Sequence, residues 1–383
     1  MDASCEIAIA GAGVIGCSIA FHLARMGQRG VRILEREALP GSGSTSKANG
    51  GIRAQFTTEV NVAMSLASMD ILDALAPEIG DPPLYKKAGY LFVTRNPAKL
   101  RAMEASALWQ KARGVAVEAL DESALRARAP WLAGPIAGGT FGARDGFIDP
   151  GGLCNFFLRE ATRAGVEIRY GAEVTALVPD GAGFRLHTSS GDLKARAVVN
   201  AAGPWARGLA ALAGVDLPVE PVRRHLLMTG PCDALPSTIP MTIDADTGVL
   251  IRREGERVLI AYSNPDEPPG FNMAFDPEFA ERIAGPLEER FPAVAQAGID
   301  RRRSWTGLYE VTPDHHAILG AVPGVPGFFL ANGFSGHGIM HAPAAGRAIA
   351  ELIVRGRSES VDVSALSIER FRRGALIHER MIL

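Results

Sequence analysis

The first candidates for chemistry are three glycines and an acid. Gly11, Gly13 and Gly16 stand in G-x-G-x-x-G spacing, and Glu35 follows at about 20 residues' remove, the distance at which an acid meets a ribose. In such a motif the first glycine makes a tight turn, the second lets the backbone approach a pyrophosphate, and the third lets helix pack closely on strand. Glu35 suits ribose hydroxyls and repels a 2′-phosphate, which argues against NADP. Three other constellations fail. His337 and His341 are spaced as in a zinc helix, but Gly338 stands where HExxH needs a glutamate. Asp314, His315 and His316 are neighbours whose side chains diverge on most backbones, so no metal is expected. The stretch Gly333 to His337 (GFSGH) misses the last glycine of a G-x-S-x-G elbow.

These residues need elements to hold them. Cys5 to Ala10 (CEIAIA) reads as a strand buried on both faces. Ile15, Ile19, Leu23 and Met26 share one helix face, Gly27 ends the helix, and Val31 to Leu34 is a second strand that delivers Glu35. Strand, glycine turn, helix, strand and acid in register form a dinucleotide site with phosphates at the helix N-terminus. This unit does not separate NAD from FAD. Residues 41–53, GSGSTSKANGGIR, help to decide. Their bare backbone and the hydroxyls of Ser42, Ser44, Thr45 and Ser46 suit phosphates and a ribityl chain, which a nicotinamide enzyme does not need here. Ala197 to Ala201 reads as a strand running into Ala202-Gly203-Pro204-Trp205, small residues beside which something flat can pass. Phe328 to Leu330 leads into a glycine-rich turn and a helix whose N-terminus suits a ring carbonyl or negative charge. The expected cofactor is FAD.

The chain as a whole sets bounds. At 383 residues, 47% hydrophobic and 21% charged, it is an ordinary globular α/β composition of two or three domains or one interlocked body. A net charge of −2 leaves no basic face for nucleic acid. Arg301 to Arg303, Arg223-Arg224 and Arg370 to Arg373 read as solvated faces. The four cysteines are scattered, which fits a reducing cytoplasm and neither a disulfide framework nor a zinc site. The N-terminal apolar run is broken by glycines and lacks a basic leader, so neither a signal peptide nor a membrane span is expected.

GAGVIG with Glu35, GSGSTSKANGGIR, AVVNAAGPWA, GLYEVTPDHHAILG and GFSGHGIMHAPAAG follow one another in this order. Together they resemble the FAD-dependent D-amino-acid oxidase superfamily, and within it the group of the sarcosine oxidase β-subunit, L-proline dehydrogenase and dimethylglycine dehydrogenase. The resemblance covers nearly the whole chain. It implies oxidation of the C–N bond of an amine or amino acid, in particular a secondary or N-alkyl amino acid. Hydride would pass to flavin N5, and water would hydrolyse the resulting imine. It implies a Rossmann-like FAD-binding α/β domain over residues 1–85, 145–218 and 318–383. Interleaved with it would be an antiparallel-sheet substrate domain over 86–144 and 219–317, the glutathione-reductase-2 type of flavoprotein. Gly11, Gly13, Ile15, Gly16, Glu35 and Arg36 would hold the AMP half, with Val174 at the adenine. Ser44, Thr45, Ser46, Asn49, Gly50 and Gly51 would follow the pyrophosphate and flavin, with Ala202 and Gly203 at the diphosphate or ribityl. Gly333, Gly336, His337, Gly338, Ile339 and Met340 would meet the isoalloxazine.

Departures from the family pattern carry information of their own. Monomeric sarcosine oxidases attach flavin through a cysteine where this chain has Gly307, so FAD is expected to bind non-covalently. Met340 replaces their carboxylate-holding lysine, and Val258 to Tyr262 lacks their oxygen-activating lysine. The electron acceptor is O₂ or another carrier. Lys47 is one substitute cation near the ring; a phosphate contact or a solvated lysine is the other reading. Arg53, directly after the FAD loop, is the candidate cation for a substrate carboxylate, since a guanidinium grips it bidentately. His225, Tyr262 and Tyr309 are further pocket candidates. Two alternatives stay open: a 2-hydroxy-acid oxidoreductase, and a flavoprotein subunit or assembly factor acting only in a hetero-oligomer. Homo- or hetero-oligomers, and a cytoplasmic location, complete the expectation.

Overall fold

The computed structural model describes residues 3–81 and 83–379. Residues 1, 2, 82 and 380–383, which fall within the expected domain ranges, lie outside the described residues. The architecture is mixed α/β, with two eight-stranded sheets and a small three-stranded one. The first sheet is built on Ala3–Ala10, paired in parallel with Val31–Leu34 on one side and Leu193–Asn200 on the other. Glu167–Arg169 and Phe328–Asn332 extend it, also in parallel. Ile7 and Ile9 point into a core shared with the helices Val14–Arg25, Pro150–Arg163 and Gly338–Arg355, while Ala8 faces Ala206 and Ala210 on the other side. A strand covered on both faces reads as an unbroken apolar run, which is why CEIAIA shows no alternation. Each large aliphatic side chain enclosed this way contributes about 1.5–3 kcal/mol.

The second sheet runs in the order Trp305–Val311, Glu220–Met228, Arg257–Tyr262, Leu250–Glu254, Met241–Asp244, Tyr90–Thr94, Gly138–Gly142, Val117–Asp121. Its pairs are antiparallel except Met241–Asp244 with Tyr90–Thr94. Its two faces are distinct. Leu91, Val93, Leu227, Ile251, Val258 and Ile260 pack against the helices Phe279–Arg290 and Pro292–Gln296. Tyr90, Phe92, Met241, Ile243, Leu250, Leu226 and Leu259 belong to separate clusters on the other face. The C-terminal segment packs back on the body. Arg370 pairs with the buried Asp314 at 2.7 Å, and Glu379 accepts hydrogen bonds from Thr57, Thr58 and Asn61.

Candidate active site

A cavity of about 830 Å³ begins at the tip of the first strand and ends under the second sheet. Gly11 turns the chain there with φ 110°, and an added Cβ would strike the Ala201 carbonyl. The Cβ of any other residue at Gly16 would fall on the Gly11 carbonyl, so helix Val14–Arg25 sits hard against the turn. Glu35 is fixed by two backbone donors: Ala12 N at 2.7 Å and Glu37 N at 2.9 Å. Its oxygens keep further lone pairs for hydroxyl donors. Thr45 Oγ1 accepts from Val14 N at 3.0 Å, tying the glycine–serine loop to the first turn of the helix. Ser44 Oγ donates to the Leu308 carbonyl at 2.6 Å, and Trp305 Nε1 to the Lys47 carbonyl at 3.1 Å. The loop is thereby pinned between the two sheets. Arg36 lies over the Trp205 ring at 3.8 Å.

The cavity brings together fifteen of the residues singled out by sequence: Gly11, Gly13, Ile15, Glu35, Arg36, Ser44, Thr45, Asn49, Val174, Ala202, Gly203, Tyr309, Gly336, Gly338 and Ile339. Gly338 and Ile339 open the helix Gly338–Arg355, so first-turn N–H groups, which have no intrahelical partner, lie at the wall. The other seven residues carried over for the cofactor are absent from the lining, each for a local reason. Gly16 serves packing. Ser46 Oγ donates back to the Gly43 carbonyl. The Gly50 carbonyl accepts from Ile148 N, and Gly51 pairs with Phe147. Gly333 backs onto Thr312. His337 turns its ring edge-on to Phe56 at 4.9 Å, and Met340 is in the core.

Of the substrate-side candidates, Tyr309 lines the cavity and Arg53, His225 and Tyr262 do not. His225 stacks on Phe279 at 4.2 Å and accepts from Asp276 N. Tyr262 packs on the same helix-covered cluster. Both face away from the cavity, because strand neighbours alternate and Arg224 and Leu226 take the cavity side. Arg53 is fully enclosed, its guanidinium 3.9 Å from the Phe56 ring centroid and 5.5 Å from that of Phe92, and it is not among the lining residues. Burial pulls its pKa down, with Tyr90 and Glu379 opposing.

Sequence reasoning missed other cavity residues. Arg224, Leu226, Met273 and Glu310 line the end that Tyr309 occupies, beside Lys47, which the sequence had offered as a cation near the ring. The Arg223-Arg224 run is no solvated face: Arg223 pairs with Glu267 at 2.8 Å and Arg224 lines the cavity. Burial raises the Glu310 carboxyl to about 7, against the backbone N–H groups of Gly333 and Phe334. Burial also raises the Tyr309 hydroxyl, with Arg224 and Arg53 opposing. Gly307 faces the stem of Lys47, whose Cβ would lie 2.6 Å from a Cβ added there.

The chain belongs to the FAD dependent oxidoreductase family, whose model matches residues 6–352. It is therefore an FAD-dependent oxidoreductase with a Rossmann-like FAD-binding domain, as the glycine turn and its sheet indicate. It is 32% identical over 429 residues to FAD-dependent oxidoreductase domain-containing protein 1 of Xenopus laevis, covering 99% of this chain and 85% of that protein. Against mitochondrial sarcosine dehydrogenase of Mus musculus the identity is 27% over 401 residues, covering 100% of this chain and 43% of that one. The crystal structure of L-proline dehydrogenase from P. horikoshii matches with a TM-score of 0.91 at 27% identity, covering 98% of this chain and 100% of that one. Among the described residues no helix is long and apolar enough to cross a membrane, and no group of three or more His, Cys, Asp or Glu is placed to hold a metal.

Proposed function

We propose that this chain oxidises the C–N bond of an amine or amino acid, in particular a secondary or N-alkyl amino acid. The observation that carries this reading is the continuity of the cavity from the dinucleotide turn to a roof of Arg224, Leu226, Met273 and Tyr309. Cofactor and substrate share one enclosure there. The names of two relatives, sarcosine dehydrogenase and L-proline dehydrogenase, support the substrate class. Gly11, Gly13, Glu35 and Arg36 would hold the adenosine half, and Ser44, Thr45, Asn49 and Gly203 the diphosphate and ribityl. Gly336, Gly338 and Ile339 would lie at the ring, where the helix N-terminus favours negative charge. When bound, FAD supplies the two-electron acceptor. Binding is non-covalent at Gly307, which offers no thiol and whose free side is filled by Lys47. The chain's own work is to orient the amine, exclude water with Leu226, Met273 and the Tyr309 ring, and favour a neutral nitrogen before its C–H electrons leave. The roof belongs to a substrate domain over 86–144 and 219–317, interleaved with the FAD domain, in a protein of the cytoplasm.

An anaerobic spectral titration tests this. N-methylglycine, L-proline and a 2-hydroxy acid are added in turn to the yellow protein. Bleaching by an amine supports the proposal, and the return of colour in air tells oxidase from dehydrogenase. Bleaching by the hydroxy acid alone overturns it in favour of C–O oxidation. A yellow protein that nothing bleaches points to a subunit acting only within an assembly.

A further inference from the structure

We propose that Arg224, not Arg53, receives the carboxylate of the substrate. The proposal rests on the amino-acid reading above and names the group that would select such substrates. Arg224 lies on the strand Glu220–Met228 opposite Gly307 in register, and it lines the cavity with Leu226, Met273 and Tyr309. Its Nη1 donates to the Arg223 carbonyl at 3.0 Å. Its Nε is buried without a hydrogen-bond partner, and among the described residues no carboxylate forms an ion pair with it. Glu267, the carboxylate whose charge acts on it, is taken by Arg223 at 2.8 Å.

A guanidinium does not deprotonate in a protein, so it cannot escape burial by losing its charge. Desolvation pulls its pKa down, with Tyr309 and Glu267 opposing. A half-buried cation without a counter-ion is a cost to the fold, and an anion arriving in the cavity removes it. The Tyr309 ring centroid, 5.3 Å from the guanidinium carbon, gives it a face to rest on. As a lining residue Arg224 offers its guanidinium to a two-oxygen acceptor entering this end of the cavity, the chemistry a carboxylate supplies. Arg53 sits between Phe56 and Phe92 outside the lining. Lys47 is the other cation at this end, a point charge without the two parallel N–H donors of a guanidinium.

The test uses the FAD-loaded protein and two matched pairs: L-proline with pyrrolidine, and N-methylglycine with dimethylamine. For Arg224→Gln, kcat/KM for the carboxylated member is expected to fall about 100-fold, and for its partner to change less than about 3-fold. Arg224→Lys keeps the charge without the fork and is expected to lose about 10-fold. It carries the test if the glutamine variant does not hold FAD. Binding is read separately from turnover. Pyrrole-2-carboxylate should perturb the flavin band of the wild type, and in Arg224→Gln it should need about 100-fold more ligand, while pyrrole is unaffected. Equal losses on both members of a pair, or no loss, overturn the proposal. So does a carboxylate-selective loss in Arg53→Gln or Lys47→Met with Arg224→Gln unaffected. A wild type that no amine reduces sinks the amine-oxidation reading instead, and the pyrrole-2-carboxylate titration then decides Arg224 alone.

Discussion

The two ends of the cavity are made of different material. At the dinucleotide end the walls are largely backbone, held by contacts too close for a side chain at Gly11 and Gly16, with Glu35 clamped by two N–H groups. At the roof the walls are side chains projecting from strands: Arg224, Leu226, Tyr309 and the Lys47 stem. Backbone sites tolerate almost no change in residue type, whereas roof sites change chemistry by exchanging one side chain. The first end is therefore committed to one cofactor, and the second can be retuned.

Breaking the backbone end should have the largest effect. Gly16→Ala puts a methyl on the Gly11 carbonyl. The expected product is a colourless protein destabilised by about 3 kcal/mol, read from flavin absorbance per chain and from urea unfolding. A yellow, stable variant would remove the distinction between the ends. Next comes Arg53→Ala. If Arg53 braces the molecule, unfolding stability falls by about 3 kcal/mol while KM for the amine stays within a factor of a few. A rise in KM with stability unchanged would return it to the substrate.

Gly307→Ala sits where the two materials meet and should cost about 2 kcal/mol by crowding Lys47. Lys47→Gly in the same chain should recover most of it, which a double-mutant cycle measures; additive losses would mean the contact is not what matters. Glu310 sharpens the comparison through pH. Its carboxyl, raised from 4.5 to about 7 by burial, binds a proton in the folded state that the unfolded chain has already lost. The stability this contributes is complete below pH 4.5 and is lost as pH rises to about 7. In Glu310→Gln that part of the pH dependence of Tm should vanish, and anionic ligands should no longer bind more weakly above pH 7. Smallest is Tyr262→Phe, on the far face of the neighbouring strand Arg257–Tyr262. It should alter kcat/KM by less than about 2-fold and stability by about 0.5 kcal/mol.

The same division explains what the sequence made legible. A glycine turn depends on local sterics, so GAGVIG, Glu35 and the serine-rich loop announce their geometry wherever they occur. Gly50 and Gly51 lie outside the lining and pair with a neighbouring strand, a demand for glycine that looks the same in sequence as a cofactor's. The roof hid its face. In EPVRRHLLM the residues from His225 to Met228 are all buried, so no alternation marks which side chain meets the cavity. His225 and Arg224 differ by one position and by the whole width of the sheet. Only the register with Trp305–Val311, set by residues about eighty positions away, assigns them. Arg53 followed the correct loop, but its side chain turned inward beneath the Gln55 carbonyl, a contact with no pattern to announce it.

The strand order of the first sheet bears on how the molecule is made. Ala3–Ala10 is made before its parallel neighbour Leu193–Asn200, and the strand beyond that one, Phe328–Asn332, is made later still. Closing such distant pairs is slow, and the early segment must wait with its apolar strand bare. Cofactor capture is thus deferred until Phe328–Asn332 has been made. A nascent chain halted before Phe328 would carry every glycine of the turn and still retain no flavin.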